Sequence, residues 1–225
     1  MKYVIDHIPR STPRNRRPGN PMVPQYLTIH NTDNPTSTAR NERGWLTNPS
    51  NPREAAYHIV VDEREAIEVL PLNENAWHAG DGNGDGNRKS IGIEICESGN
   101  YAKTLENAAD LVAKMLKERG WGVDRLRRHY DWSGKICPGK MYDGGKWTGW
   151  HTFKAEVEKR LKTEAKPPSA VTAAKLYVDG KRIDDGILID GVTYFPARAL
   201  ANAVGATIAW DQASKTVKIT TKEAK

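Results

Sequence analysis

The sequence predicts an α/β fold in which helices flank a mixed central sheet, followed by a small α+β module. Residues 26–30 and 90–96 alternate between apolar and other side chains, which indicates strands. Residues 105–116 and 150–161 repeat apolar side chains at helical spacing. Because strand and helix patterns alternate along the chain, we expect the helices to pack on the sheet.

The N-terminal arm, the first strand and the first helix are predicted from the residues at their ends. Residues 1–25 are rich in Pro, Arg and Asn and predict an extended arm that leads into the strand at residues 26–30. Either Ser37 or Thr38 is expected to cap a short helix, because both have side-chain oxygens that can accept from backbone N–H groups. That helix is predicted to end near Leu46, before a proline-rich break.

The middle of the chain predicts two paired strands, a loop and a long helix. Residues 57–62 are rich in β-branched side chains, and residues 66–70 are expected to pair with them across a turn. Residues 75–87 predict a glycine-rich surface loop that borders a substrate cleft. The long helix is expected to start with Thr104 as its N-cap and to stop at Gly120.

A proline and alanine linker divides the chain into two predicted domains. Residues 1–162 are expected to form the catalytic domain, residues 163–174 the linker and residues 175–225 a small second module. The module has signals of its own. These are Asp-Gly turns at 179–180 and 190–191, a helix at 195–205, and a last hairpin that contains Ile208, Trp210, Val217 and Ile219.

Composition indicates a folded protein with an anionic partner. Hydrophobic residues make up 38% of the chain, charged residues 28%, and there are seven tryptophans, which argues against disorder. The net charge of +6 suggests an anionic partner. No nucleic-acid-binding motif is recognisable, so nucleic acid is not an expected partner.

Two kinds of apolar segment that direct proteins to or across membranes are not recognisable in the sequence. No run of about 18 apolar residues is present, so membrane insertion is not expected. The start of the chain also lacks the apolar stretch of a signal peptide, which predicts a protein that is not exported by a signal of its own.

The stretch LRRHYDWSGKICP at residues 126–138 predicts a metal site. His129 and Cys137 are ligands suited to zinc, and Lys135 lies between them. A catalytic zinc takes three protein ligands and leaves a fourth position open. His30 is the best third candidate, because it ends a strand just before a turn.

An ordered set of motifs resembles the zinc-dependent N-acetylmuramoyl-L-alanine amidases of the type-2 class. The motifs are TIHNT at 28–32, AYHIVVD at 56–62, SIGIEI at 90–95 and RRHYDWSGKICP at 127–138. Phage endolysins, bacterial autolysins and peptidoglycan recognition proteins share that fold. The resemblance covers residues 20–162 and implies Zn²⁺ held by His30, His129 and Cys137, the last replaced by Asp in some relatives.

Glu94, Lys135 and Tyr57 are the predicted catalytic residues. Glu94 lies in an isoleucine-rich strand, where an unpaired charge is costly, which favours a functional role. The resemblance implies that Glu94 takes a proton from water and passes it to the leaving amine. It also implies that Lys135 stabilises the oxyanion and that Tyr57 lies near the zinc, although Tyr57 also fits a core position.

Three further side chains are predicted to bind substrate. His78 and Trp77 lie at the base of the glycine-rich loop, where relatives contact substrate, and Trp132 is expected to shape the cleft wall. His58 is interpreted as a hydrogen-bonded core residue rather than a ligand. The loop itself lacks the Glu that a calcium loop requires and the glycine before Lys89 that a Walker sequence requires.

Cys96 has two interpretations. Alternation places it on the same strand face as Glu94, which should look toward the zinc. It is expected to be a buried free cysteine, and the alternative is an oxidised disulfide with Cys137 that would expel the metal.

The function predicted from these features is that of a phage-type endolysin that cuts the amide between N-acetylmuramic acid and L-alanine in peptidoglycan. The alternatives are a non-catalytic peptidoglycan-recognition protein and a zinc peptidase acting on stem peptides. Non-catalytic relatives typically lose a zinc ligand, whereas this chain retains all three positions. The second module, residues 175–225, resembles more loosely the copper amine oxidase N-terminal-like stalk domains, and it is predicted to bind the wall or to form a homodimer.

Overall fold

A mixed sheet of six strands forms the centre of the first of two units in the computed structural model. The structure describes residues 1–162, 172–189, 192–212 and 216–221, and the units are Met1–Thr163 and Glu164–Lys225. The strands are β1 (Lys2–Ile5), β2 (Tyr26–Asn31), β3 (Ile59–Val61), β4 (Glu65–Glu68), β5 (Ser90–Ile95) and β6 (Leu126–Arg128). The helices are α1 (Ala39–Thr47), α2 (Asp85–Lys89), α3 (Tyr101–Glu118), α4 (Tyr130–Ser133) and α5 (Thr148–Lys162).

The order of the strands is β1-β4-β3-β5-β2-β6. β3 and β4 are antiparallel, as expected of strands joined by a short turn, and the other neighbouring pairs are parallel. Parallel neighbours need long crossover connections, and the helices lie in those connections. The mixed α/β sheet flanked by helices is therefore confirmed.

The two faces of the sheet have different chemistry. Leu27 and Ile29 of β2 pair in register with Ile91 and Ile93 of β5, and these four side chains are fully buried in a core with α3 and α5. Because successive side chains point to opposite faces, the alternate residues of both strands lie on the other face. That second face carries the polar groups of the functional site.

The helix boundaries agree with the predictions at one cap and differ at another. Thr38 caps α1, with its side chain accepting from the Asn41 N–H. The N-cap of α3 is Asn100, which accepts from the Lys103 N–H at 3.1 Å, and not Thr104. Thr104 lies inside the first turn, where its hydroxyl bonds the Asn100 carbonyl, so the pattern placed the cap one turn too late.

The N-terminal residues are part of the fold and not an extended arm. β1 pairs in parallel with β4 at the edge of the sheet, and Ile8 is fully buried. Arg16 is also fully buried, and Arg17 forms an ion pair with Glu74 at 2.8 Å. The prediction was wrong because the proline and arginine content of this segment hides a short strand whose partner lies far along the chain.

The guanidinium of Arg16 holds together the connection that follows α1. It donates to the carbonyl oxygens of Leu46 at 2.9 Å and Arg53 at 2.8 Å, and also to that of Asn51. Buried carbonyl groups need donors, and this single side chain supplies three of the bonds. Arg16 therefore fixes a segment that no regular element orders.

Two other predicted segments have more structure than expected. The two ends of the loop at 75–87 are internal, with Ala76, His78, Ala79 and Asn87 buried, because the side chain of Asn87 bonds the loop backbone from inside, whereas its middle is largely exposed as predicted. The stretch predicted to bind a metal, residues 126–138, contains β6 and α4 instead of irregular loop alone. By contrast, the strand predicted at 57–62 is shorter.

The second unit contains a three-stranded sheet and a separate hairpin in its described residues. Its elements are β7 (Thr172–Val178), β8 (Lys181–Ile189), β9 (Val192–Tyr194), α6 (Ala197–Ala203), β10 (Thr207–Asp211) and β11 (Thr216–Thr220). Residues 172–174 belong to β7 and not to the predicted linker, whose other residues, 163–171, lie outside the described residues. The predicted turn at 190–191 also lies outside them.

Hydrophobic pairs close the last hairpin of this unit as predicted. Ile208 lies opposite Ile219, and Trp210 opposite Val217. None of the described helices of either unit is both long enough and apolar enough to cross a membrane.

Replacing Arg16 should destabilise the first unit. We expect Arg16→Met to lower the free energy of unfolding by about 2 kcal/mol or more, because the substitution leaves buried carbonyl groups without donors. Urea denaturation followed by tryptophan fluorescence measures the change. Arg14→Met, at an exposed position two residues earlier, serves as the control and should change the free energy by less than about 0.5 kcal/mol. Equal effects of the two substitutions would contradict the role given to Arg16.

Candidate metal centre

Three potential ligand atoms converge at one end of the sheet. His30 Nδ1 lies 3.1 Å from His129 Nδ1 and 3.7 Å from Cys137 Sγ, and the three ligand atoms lie within 4.8 Å of one another. A tetrahedral zinc with Zn–N bonds of about 2.0–2.1 Å and a Zn–S bond of about 2.3 Å would separate its ligand atoms by about 3.3 to 3.6 Å. The two distances from His30 Nδ1 are close to these values, so the cluster has the size of a site for one zinc ion.

The sheet and a short helix bring these residues together. His30 is near the end of β2, and β6 pairs in parallel with β2 so that His129 follows directly after it. The chain then forms α4 and returns, and the Tyr130 N–H donates to the Cys137 carbonyl at 3.1 Å. This bond closes the loop that places Cys137 beside the two histidines.

Burial sets the protonation of the ligands. His30 is 1% exposed, Cys137 5% and His129 7%. Burial holds the pKa of His30 well below its usual range, and nearby His78 and His129 add to the effect. Burial also lowers the pKa of His129 to about 4. Both imidazoles are therefore neutral near pH 7 and keep a lone pair for a metal.

The thiol of Cys137 completes the ligand set. Burial and the neighbouring Glu94 raise its pKa to about 12, so the thiol stays protonated unless a cation favours the thiolate. Two imidazole nitrogens and one thiolate are a donor set suited to zinc. The chemistry of these donors thus agrees with their spacing.

Glu94 lies beside the three ligands. It pairs in register with His30 across β5 and β2, which places both side chains on the same face. The side chain is half-buried, and Oε2 is fully buried with no hydrogen-bond partner among the described residues. Burial, followed by the neighbouring Glu42, holds the pKa of Glu94 well above its usual range, and Lys135 offsets part of this effect.

A cavity of about 200 Å³ joins the candidate catalytic residues to the ligands. Glu94, Lys135 and Tyr57 all line it together with the three ligands. Lys135 is exposed, whereas Tyr57 is 9% exposed and its hydroxyl makes a long hydrogen bond of 3.5 Å to Glu42. Burial and the charge of Glu42 raise the pKa of Tyr57 well above its usual range, so the phenol remains protonated.

His78, which is predicted to bind substrate, lines the cavity around the candidate ligands. It is 7% exposed, and its Nδ1 lies 3.0 Å from His30 Nε2 while its Nε2 lies 3.1 Å from the Ser90 carbonyl. Burial lowers the pKa of His78 to about 3, and the neighbouring His58 adds to the effect. Both ring nitrogens make hydrogen bonds inside the protein, and the contact of His78 with substrate stays a prediction.

Two tryptophans lie away from the cavity. Trp77 and Trp132 are half-buried, and neither is among the described residues that line the cavity around the ligands. The indole of Trp132 donates to the Thr28 hydroxyl at 2.8 Å and packs edge-on against Tyr26. Their predicted contacts with substrate therefore have no support in the geometry of this cavity.

His58 has the contacts that its interpretation as a core residue requires. Its Nε2 lies 2.8 Å from the Glu74 carbonyl, and its Nδ1 accepts from the Gly92 N–H at 2.9 Å. Cys96 is a buried free thiol, as expected, and packs in the hydrophobic cluster on the same side of the sheet as Val60 and Ile67.

Three residues that border the site were not identified from the sequence. Glu42, Trp45 and Arg53 line the cavity, and they also line an adjoining hollow of about 450 Å³. Glu42 and Trp45 lie on α1, at positions that a helical pattern assigns to solvent, and Arg53 lies in the irregular segment held by Arg16. No local signal distinguishes such residues from ordinary surface residues.

Comparison with known families agrees with this geometry. The family model described as N-acetylmuramoyl-L-alanine amidase matches residues 19–140. A second family model, described as copper amine oxidase N-terminal domain, matches residues 177–225.

Two curated relatives of this chain are N-acetylmuramoyl-L-alanine amidases. The chain is 47% identical over 165 residues to the N-acetylmuramoyl-L-alanine amidase XlyB of Bacillus subtilis, a match that covers 70% of this chain and 50% of the relative. It is 47% identical over 148 residues to CwlA of the same organism, covering 64% and 52%. The chain thus spans about half the length of the curated relatives it matches.

The fold matches a solved structure over the whole length of that structure. The catalytic domain of XlyA aligns with a TM-score of 0.64 at 42% identity, covering 70% of this chain and 99% of that one. Because the amidase family model matches residues 19–140, more than half of the chain, the chain belongs to the N-acetylmuramoyl-L-alanine amidase family.

Proposed function

We propose that this protein is a zinc-dependent peptidoglycan hydrolase of the phage endolysin type. The bond cut is the amide between the lactyl group of N-acetylmuramic acid and L-alanine. The observation that carries this proposal is the unpartnered carboxylate oxygen of Glu94, which shares a cavity with the buried His30, His129 and Cys137. The names of the amidase relatives support the choice of bond.

His30 and His129 would hold the zinc through Nδ1, and Cys137 through Sγ, because these atoms face one another. When bound, zinc supplies a Lewis acid that polarises a carbonyl group and lowers the pKa of water to about 7. Three protein ligands leave one position open, as in catalytic rather than structural zinc sites.

Glu94 is the proposed general base. Its Oε2 has no hydrogen-bond partner in the part of the chain that the structure describes, so the oxygen is free to accept a proton from the attacking water. Burial raises the pKa of Glu94 well above its usual range, which brings it closer to the pKa that suits a group that must both accept and release a proton near neutral pH. The protonated carboxyl then donates to the nitrogen of the leaving L-alanine.

Lys135 and Tyr57 are the proposed stabilising groups. The exposed Lys135 lines the cavity, where its ammonium can stabilise negative charge on the carbonyl oxygen. The phenol of Tyr57 stays protonated and can donate to the same region. Both side chains would act on charge that develops only as the water attacks.

The charge of the chain suits a wall substrate. The net charge of +6 favours association with peptidoglycan and with anionic wall polymers. We propose that the protein acts on the cell wall after release from the cytoplasm of the host bacterium.

We also propose that the second unit binds the wall and takes no part in the chemistry. The candidate catalytic residues all belong to the first unit. Tyr177, Tyr194 and Trp210 are 54%, 53% and 54% exposed, and exposed aromatic rings are suited to stacking on sugars. Tethering would raise the concentration of the first unit at an insoluble substrate. Homodimer formation is the competing role for this unit.

Zinc content tests the ligand set. We expect one zinc per chain in the wild-type protein and a large loss of zinc in Cys137→Ser, because a serine hydroxyl is a poor replacement for a thiolate. Elemental analysis of purified protein measures the metal. Cys96→Ser, at a buried cysteine outside the ligand set, is the matched control and should keep its zinc. Full zinc content in Cys137→Ser would remove Cys137 from the site.

The rate of hydrolysis by a Glu94 variant tests the proposed general base. We expect Glu94→Gln to bind zinc and to keep its fold but to lose about 10² to 10⁴ in rate, since the amide cannot accept the proton. Mass spectrometry of digested wall fragments gives the rate and identifies the bond cut by the free amine of L-alanine. Glu106→Gln, an exposed substitution on α3, should keep wild-type turnover. Hydrolysis by Glu94→Gln near the rate of the wild type would place the base elsewhere, and products cut within the stem peptide would indicate a peptidase.

Truncation tests the second unit. A chain that ends after Thr163 should hydrolyse soluble muropeptides at the rate of the full chain while losing sedimentation with cell walls. Light scattering of both proteins reveals any change in oligomeric state. The wall-binding proposal fails if the full chain is a dimer, the truncated chain is a monomer, and the isolated second unit does not sediment with walls.

A further inference from the structure

A chain of hydrogen bonds runs from His30 back into the sheet. The Ser90 carbonyl can only accept, so the His78 Nε2 that lies 3.1 Å from it must carry the ring hydrogen. The buried ring of His78 is neutral and has a single N–H, which makes its Nδ1 an acceptor. His30 Nε2, at 3.0 Å from that atom, must therefore be the donor.

This order of donors fixes the tautomer of His30. With its hydrogen on Nε2, the ring keeps a lone pair on Nδ1, the atom that faces His129 Nδ1 at 3.1 Å and Cys137 Sγ at 3.7 Å. The opposite tautomer would place a hydrogen on Nδ1, where a metal has to bind, and would leave His78 Nδ1 without a donor.

From these contacts we propose that His78 is a positioning residue, which holds His30 in the tautomer and orientation that offer Nδ1 to the metal, and that Asn87 holds His78 in place. This inference rests on the proposed zinc site and deepens it. It gives His78 a role behind the ligand.

Asn87 anchors the loop that carries His78. Its side-chain oxygen accepts from the backbone N–H groups of both His78 and Ala79, at 2.8 Å each, and its amide donates to the Gly82 carbonyl at 3.0 Å. The backbone N–H of Asn87 donates in turn to Asp81 at 3.1 Å. Because Asn87 is 3% exposed, water cannot easily replace these bonds.

Gly92 of β5 provides the space in which the ring of His78 lies. A Cβ at this position would be 2.7 Å from His78 Cγ, closer than nonbonded carbon atoms approach. On another side the ring packs edge-on against His58, with ring centroids 5.7 Å apart. His78 is therefore confined by the strand, by a second ring and by its own hydrogen bonds.

The same loop also reaches the second histidine ligand. The backbone of Ala79 lies close enough to the ring of His129 to offset part of the lowering of its pKa by burial, and a Cβ at Gly80 would be 3.3 Å from His129 Nε2. Asn87 bonds the N–H of Ala79, so it restrains the neighbours of both histidines. One buried amide thus orders the surroundings of two of the three ligands.

Zinc affinity and ring tautomers test the inference in the full chain. We expect His78→Phe and Asn87→Ala to raise the zinc dissociation constant about 10- to 100-fold, the usual effect of losing a group that orients a metal ligand. Competition with a chromophoric chelator measures the constant. His151→Phe and Asn83→Ala, at exposed positions, are the matched controls and should bind zinc within about twofold of wild type.

A second measurement, of which ring nitrogens carry hydrogen, uses the wild-type protein. Long-range ¹H–¹⁵N spectra of the metal-free wild-type protein should show the ring hydrogen of both His30 and His78 on Nε2. A hydrogen on Nδ1 of His30, or an unchanged zinc constant in folded His78→Phe, would overturn the inference while the zinc site stands. Wild-type protein that binds no zinc would overturn the proposed function, and this inference with it.

Discussion

The in-register pairing of two parallel strands, β2 and β5, sets the geometry on which the site depends. It aligns His30 with Glu94 on one face, while Leu27, Ile29, Ile91 and Ile93 fill the core on the other. A slip of one residue would send every side chain of a strand to the opposite face. The burial of four aliphatic side chains therefore specifies the position of a candidate ligand and a carboxylate.

The parts of the fold and site that were predictable from the sequence depend on local patterns. Alternating and helical periodicities are written in consecutive residues, so they indicated β2, β5, α3 and α5. The three candidate ligands and Glu94 were identifiable because a polar group in an apolar strand, or a histidine and cysteine in one short stretch, is unusual in itself. These positions are conspicuous before any tertiary contact is known.

The remaining features depend on partners that are distant along the chain. Arg16 has the composition of a surface cation, and its burial follows from carbonyl groups more than thirty positions away. β1 has only four residues, too few to show a period, and it is a strand because β4 pairs with it. His78 has no property that separates a substrate contact from a support for another histidine. Its role depends on the direction of its hydrogen bonds, which only the folded structure defines.

The wide separation of the ligands along the chain has a consequence for how the protein is made. His30 lies 99 positions before His129 and 107 before Cys137. During synthesis the ribosome completes β2 long before the second and third ligands emerge, so a nascent chain cannot hold the metal with all three. Zinc that binds only the finished arrangement adds its binding free energy to the folded state. A bound metal would then stabilise the first unit only after its early and late parts have both been synthesised and have folded together.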